Sequence, residues 1–356
     1  MHKILHLDSF PAPTPPAGFA RRILPVFLPF AGCATRCIFC AQHIQTGLGP
    51  RTVTEALDET ARQLDQAQDR GAPDLAFYGG TFTALAPRDF SLCLDFTRAR
   101  LADGKICGAR CSTRPDQLDA QKARALKEAG FSLLELGVQS FQDTALSLSR
   151  RGYDARVAKK ACALAKANGL ELGIQLMPGM PGLDTAGARG DVRAAIALAP
   201  ACVRLYPCLV LAGTELEDLW RSGSYQPWEL ARTVDFLADA LLRFQAAGIP
   251  VIRAGLADTP ETVAGTLAGP RHPALGNMVR ALALYKYIRN HLRGLVPKKT
   301  DAACLLTVPR RLQGDFWGHR GELAVKYAKL GLGRASVRWG DREDFVLCRY
   351  LGETPP

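Results

Sequence analysis

The sequence predicts an α/β fold in which parallel strands alternate with helices in a barrel-like arrangement and lead into a small basic α+β domain. Three observations carry this. Seven candidate strands alternate with six candidate helices between residues 23 and 254. Polar or Gly-rich groups recur just after successive strands, and positive charge gathers toward the C-terminal end.

The candidate strands are 23–30, 75–79, 106–112, 133–139, 170–177, 202–209 and 249–254. The helical patterns between them are 52–69, 89–103, 117–129, 154–168, 188–199 and 228–247. In the first helix Thr52 and Glu55 form a capping box, and Val53, Ala56, Leu57, Thr60, Ala61 and Leu64 share one face. The fourth helix stops at Asn168-Gly169, a left-handed ending. Units of this length imply parallel strands with right-handed crossovers. A doubly wound sheet and a barrel both satisfy that pattern, and the motif positions decide between them. A cysteine loop follows the first strand, Gly79-Gly80-Thr81 the second and Ser112-Thr113-Arg114 the third. Gln139-Ser140 follows the fourth, Gln175 to Gly179 the fifth and Tyr206-Pro207 the sixth. In an α/β barrel the carboxyl ends of the strands meet at one mouth, where the site is built.

At 356 residues the length suggests about two domains, and 47% hydrophobic residues supply a real core. No apolar stretch reaches the roughly 18 to 20 residues of a membrane span. His6 and Asp8 interrupt the build of a signal peptide, so a cytoplasmic location is expected. Residues 1–20 read as an irregular leader, rich in Pro, Ala and Gly from 11 onward. Eleven cysteines, an odd number over a long chain, imply reduced thiols. Cys93, Cys107, Cys162, Cys202, Cys208, Cys304 and Cys348 sit mostly in apolar runs and read as core packing.

Cys33, Cys37 and Cys40 differ, forming C-x3-C-x2-C within eight residues. Thiolates suit zinc and iron–sulfur clusters alike, and His43 offers a fourth zinc ligand. In a cluster, three thiolates leave one iron to a ligand that is not protein. The motif, with Phe39 before its last Cys and placed after a first barrel strand, resembles the radical S-adenosylmethionine superfamily. The resemblance implies a partial (βα)6 TIM-type barrel over residues 21–257. It implies a [4Fe–4S] cluster on the three Cys, with S-adenosylmethionine chelating the fourth iron. One electron, from a donor such as flavodoxin or ferredoxin, would then cleave that cofactor to methionine and a 5′-deoxyadenosyl radical. Gly79-Gly80-Thr81-Phe82 resembles the family's Gly-Gly motif, whose backbone meets the methionyl amino group; a side chain there would block the approach. Glu135 to Ser140 resembles the fourth-strand motif of the coproporphyrinogen-oxidase-like and Elongator-like branches. That likeness places Gln139 near the cofactor and Arg151, rather than Arg150, on its carboxylate. Ser112 and Gln175 stand where relatives often carry carboxylates, and are candidate contacts to the cofactor's ribose or amino group.

Arg204 to Leu216, continued by Trp220, Gly223 and Tyr225-Gln226-Pro227, resembles the Elongator catalytic subunit, as does Gly269 to Ala274. The likeness covers roughly residues 21–293. Arg204 and Tyr206 become catalytic, substrate-side candidates, and His272 reads as a loop residue. Residues 258–300 are expected to form a linker and a helix packed on the barrel. The Elongator subunit continues into an acetyltransferase domain that uses acetyl-CoA, whereas this chain ends at Pro356, so a short form is expected.

From Arg271 onward Lys and Arg number 16 against 7 Asp and Glu, while residues 1–270 carry 29 against 27. A nearly neutral body with a basic tail suggests a polyanionic partner. Residues 301–356 read as a strand (304–309), a short helix, Gly318-His319-Arg320-Gly321, a helix (322–330) and strands 334–339 and 344–350. A Gly-x-x-Gly loop between helices is how KH domains clamp a nucleic-acid backbone, with His319 and Arg320 as donors here. A small α/β cap packed on the barrel fits the same pattern. The leading expectation is a radical S-adenosylmethionine enzyme acting on RNA, with tRNA first. The alternatives are a coproporphyrinogen-oxidase-like enzyme on a small molecule, and an RNA-binding protein with a structural metal site.

Overall fold

The structure is a computed structural model that describes residues 4–13, 22–49, 51–66, 71–293 and 302–351. The chain divides into a larger unit, Pro16–Thr233 with Ala246–Pro273, and a smaller one, Met1–Pro15 with Val234–Gln245 and Ala274–Pro356.

The larger unit is built on a seven-stranded sheet in sequence order: Ile23–Leu28, Asp74–Gly79, Gly108–Thr113, Phe131–Gln139, Glu171–Leu176, Cys202–Leu205 and Val251–Ala254. Every neighbouring pair is parallel. The first and seventh strands do not pair, so the sheet is a curled half-barrel rather than a closed one. The partial-barrel expectation holds, with a seventh strand beyond the six βα units. Helices Val53–Gln66, Pro87–Ala102, Ala120–Glu128, Ala155–Ala167 and Thr185–Ala197 follow the first five strands in turn. The Thr52–Glu55 box is formed, with the Thr52 N–H on Glu55 Oε2 at 2.8 Å and the Glu55 N–H on Thr52 Oγ1 at 3.2 Å. The expected extension of that helix to residue 69 lies outside the described residues. Asp154 caps the helix Ala155–Ala167 by accepting from the Val157 N–H, and Gly169 follows its end at φ +73°.

Alternation along these strands sorts the two faces of the sheet. Leu75 and Phe77 are fully buried, whereas Tyr78 points to the concave face and lines its cavity. The sixth strand is shorter than the expected 202–209. Regular pairing ends at Leu205, although the Tyr206 N–H still donates to the Leu176 carbonyl and the Cys208 N–H to the Pro178 carbonyl, each at 2.9 Å. Val210–Leu211 pairs separately and antiparallel with Thr266–Ala268.

Two expected boundaries are corrected. Residues 4–11 are a strand, not part of an irregular leader: Ile4–Pro11 pairs antiparallel with Asp344–Leu351. Phe10 anchors it, stacked 4.8 Å from Phe345 and 4.9 Å from His291. Asp8 and Ser9 break the apolar run, and the remote partner strand supplies the ladder that local sequence lacks. The helix Leu275–Leu292 belongs to the smaller unit, not to the barrel. Its buried positions include Val279, Leu282, Ile288 and Leu292, and Lys286 pairs with Asp235 and Asp239 at 2.7 Å.

The smaller unit's sheet runs Ile4–Pro11, Asp344–Leu351, Ala302–Pro309, Val337–Gly340, antiparallel except for the last pair. Phe316 and Tyr327 stack at 4.2 Å in its core, edge-on to Trp317, Trp339 and Tyr285. The helix expected at 322–330 shortens to Ala324–Ala328. Gly318 to Gly321 form a turn after the helix Gln313–Phe316, with Arg320 at φ +53°. Among the described residues, no helix is long and apolar enough to cross a membrane.

Candidate active site

A cavity of about 480 Å³ opens at the carboxyl ends of the seven strands. The alternation described above dictates what lines it. The first strand contributes Ile23, Pro25 and Phe27, the fourth Glu135, Gly137 and Gln139, and the fifth Gln175 followed by Met177. The sixth gives Arg204 followed by Tyr206, and the seventh gives Arg253. Every sequence-predicted barrel residue lies on this wall: Cys33, Cys37, Cys40, Gly79, Gly80, Thr81, Ser112, Gln139, Arg151, Gln175, Arg204 and Tyr206. Gly318, His319, Arg320 and Gly321 belong to the smaller unit and are not among the lining residues.

The cysteine loop is clamped from several sides. Cys33 Sγ lies 3.2 Å from Thr81 Oγ1, and the Thr81 N–H donates to the Ala31 carbonyl at 2.8 Å. Gly80 makes that approach feasible, since a Cβ there would sit 1.9 Å from the Ala31 oxygen. Gly32, at φ +71°, is equally constrained, its Cβ falling 2.3 Å from the Thr81 oxygen. Burial and the neighbouring thiols act against ionisation at Cys33 and at Cys40. Cys40 is pushed up to about 12, first by burial and then by Cys37 and Cys33. Burial likewise raises Cys33 above its ordinary value, against the pull of Thr81 and the nearby arginines.

Arg151 is 4% exposed. Its Nη1 donates to Cys37 Sγ at 2.8 Å and its Nη2 to the Gly137 carbonyl at 2.6 Å, while Nη2 and Nε reach the Tyr153 hydroxyl at 2.8 and 3.1 Å. Burial works against its charge, but the Tyr153 oxygen and the Cys37 sulfur outweigh that and hold its pKa above the ordinary value. Arg150, by contrast, is exposed and pairs with Glu215 at 2.6 Å, so Arg151 is the guanidinium that faces the cavity. Gln139 sits at φ +67°, a conformation costing on the order of 1–3 kcal/mol outside glycine. Its Oε1 accepts from Gln175 Nε2 at 3.1 Å, and its carbonyl accepts from the Met177 N–H at 2.7 Å. The turn after it is pinned by buried Asp191, which accepts from Ser140 Oγ at 2.7 Å, the Phe141 N–H at 2.8 Å and Gln142 Nε2 at 3.1 Å.

Across the cavity lies a network in which Glu135 and Tyr78 were not singled out from sequence. Glu135, 4% exposed, pairs with Arg204 Nε at 2.5 Å and accepts from the Tyr78 hydroxyl at 3.0 Å. Arg204 also reaches the hydroxyls of Tyr78 and Tyr206, at 2.6 and 3.0 Å. A usable signal was present: with Gln139 facing the mouth, a period of two puts Gly137 and Glu135 on the same face. Arg36, Arg114 and Arg253 complete the charged lining, giving five arginines against one carboxylate.

With this geometry in hand, comparison with known proteins places the chain. The model of the Radical SAM superfamily matches residues 27–188, and that of the Radical_SAM C-terminal domain matches residues 200–283. The chain belongs to the radical SAM superfamily. Within it, the similarities are to Elongator-type proteins. The chain is 28% identical over 298 residues to the tRNA uridine(34) acetyltransferase of Methanocaldococcus jannaschii, covering 72% of this chain and 53% of that one. It is 32% identical over 221 residues to Elongator complex protein 3 of Danio rerio, covering 56% and 39%. The solved structure of the archaeal Methanocaldococcus infernus Elp3 with an N-terminal deletion matches with a TM-score of 0.57 at 23% identity, over 76% of this chain and 63% of that one. The chain thus spans about half the length of its first curated relatives.

The residues of this radical SAM protein fit the groups its superfamily implies. Three thiols share one loop, and the Arg151 guanidinium donates to the Cys37 sulfur at 2.8 Å. Among the described residues, no three Cys, His, Asp or Glu side chains converge on a single metal-ion position. A cluster, whose irons each take their own thiolate, asks for separated sulfurs. His43 is exposed, packs 6.4 Å from the Phe30 ring and is not among the lining residues, so it does not complete a zinc set. The Gly79–Gly80 wall is bare backbone where a further ligand would lie.

Proposed function

We propose that this radical SAM enzyme holds a [4Fe–4S] cluster on Cys33, Cys37 and Cys40 and uses S-adenosylmethionine to modify RNA, with tRNA as the first substrate. The carrying observation is that the cysteine loop, the Gly79–Gly80 edge, Gln139 and Arg151 meet on one cavity wall. When bound, the reduced cluster supplies one electron that splits the cofactor into methionine and a 5′-deoxyadenosyl radical able to abstract hydrogen. The protein's part is to bind and orient. Arg151, buried and permanently charged, would meet a carboxylate, and the bare backbone at Gly79 and Gly80 would meet an amino group. Gln139, Gln175 and Ser112 offer neutral hydrogen-bonding edges. Met177, Leu209 and Leu211 exclude water from the inner wall.

The names of the relatives support RNA as substrate, as does the basic C-terminal region. In this reading Gly318 to Gly321 approach a nucleic-acid backbone, and His319 and Arg320 supply donors. A one-electron donor such as flavodoxin or ferredoxin completes the scheme.

Two measurements test it. Anaerobically reconstituted protein, given dithionite and S-adenosylmethionine, should release 5′-deoxyadenosine; an intact cluster with no such product sinks the enzymatic reading. Mass spectrometry of nucleosides in bulk tRNA from a deletion strain should show a lost modification. Unchanged tRNA together with a copurifying porphyrin would move the substrate to a small molecule.

A further inference from the structure

The five arginines of the cavity divide into two sets. Arg151 is enclosed by Cys37, Gly137 and Tyr153, Arg114 pairs with Asp116 at 3.0 Å, and Arg204 pairs with Glu135. Arg36 and Arg253 are different. Both are exposed, both line the cavity, and no carboxylate among the described residues forms an ion pair with either. Arg36 rests its guanidinium on the Phe30 ring, 4.1 Å from the centroid, which leaves its in-plane donors open. Arg253 commits only Nε, to the Gly255 carbonyl at 3.1 Å, leaving its two Nη groups.

Their positions in the fold matter as much as their charge. Arg36 lies on the loop after the first strand and Arg253 lies in the seventh, the two unpaired edges of the half-barrel. On the wall between them the charge of Glu135 answers that of Arg204, beside the phenols Tyr78 and Tyr206. An uncharged planar ring suits that wall, and an anion suits the rim. Guanidinium forks match the oxygens of a phosphate, and each bond is charge-assisted.

We infer that Arg36 and Arg253 form a phosphate-binding rim, which takes the backbone phosphate of the nucleotide whose ring enters the cavity. The inference rests on the RNA reading above and adds to it the residues that select a nucleotide over a free nucleoside. Arg36 adjoins the cluster cysteines, so Arg253 is the residue to test.

Binding of uridine 5′-monophosphate and of uridine to the reconstituted protein is compared by calorimetry, without reductant and with S-adenosylmethionine saturating so that its own carboxylate is already placed. The monophosphate should bind about tenfold more tightly. Arg253→Gln should reduce that preference to threefold or less, and Arg253→Lys should keep most of it. Equal affinities, no measurable binding of the monophosphate, or a preference untouched by Arg253→Gln would each overturn the rim. A protein that releases 5′-deoxyadenosine but ignores the phosphate loses this inference alone. One that prefers the monophosphate but never cleaves the cofactor loses the enzymatic proposal and keeps the rim.

Discussion

The barrel mouth and the smaller unit are both rich in arginine, yet they hold their charge in opposite ways. At the mouth, Arg151 and Arg204 are withdrawn from water and matched atom by atom to Cys37, Gly137, Tyr153, Glu135 and two phenols. In the smaller unit Arg310 pairs with Asp341 while both remain largely exposed, at 61% and 86%, and Arg320 and Lys326 face solvent. Charge taken out of water is costly unless its partners are fixed, so the mouth is a built structure. Charge left in water costs little and is screened by salt, so the smaller unit's exposed pairs fix little geometry.

The largest test of that contrast is Glu135→Gln. It leaves the largely buried Arg204 without its counter-charge and should lower stability by about 3–5 kcal/mol in urea unfolding. A loss below about 1 kcal/mol would mean that water already solvates Arg204, and the contrast would collapse. A smaller effect is expected at Asp191, whose carboxyl is raised above its ordinary 3.8, first by burial and against the hydrogen bonds from Ser140, Phe141 and Gln142. A group raised in the fold stabilises fully below its unfolded pKa, and that contribution is lost as pH rises through the raised folded value. The advantage in thermal midpoint of the native chain over Asp191→Asn should therefore grow between pH 7 and pH 4.5, measured on cluster-free protein. A constant difference would place the carboxylate in water. The smallest effect belongs to Arg310→Ala. Removing one side of an exposed pair should change stability by no more than about 0.5 kcal/mol. A larger loss would show that the smaller unit's charges are structural after all.

Much of this site was legible residue by residue. C-x3-C-x2-C, Gly79-Gly80 and Gln139 each follow a strand, and strand ends in a parallel α/β unit converge whatever the helices between them look like. Glu135 lies two alternation steps inside Gln139 and Tyr78 one residue before Gly79, and their only local mark is a period of two that core residues share. Arg36 and Arg253 had no signal, since a surface arginine and a rim arginine look alike until the sheet curls. The strand Ile4–Pro11 was illegible for a related reason. Its partner lies more than 330 residues away in sequence, at Asp344–Leu351.

Local chemistry determined the alternating elements, the thiol loop, the glycines that admit close backbone approach and the excess of charge near the C-terminus. These depend on side-chain type and short spacing, which a linear sequence records. Tertiary structure decided between Arg151 and Arg150, joined Glu135 to Arg204, assigned the helix Leu275–Leu292 to the smaller unit and left the half-barrel open between two unpaired edges. Each of these depends on which distant groups share a dry volume, and burial of charge is settled only when the whole fold has displaced the water.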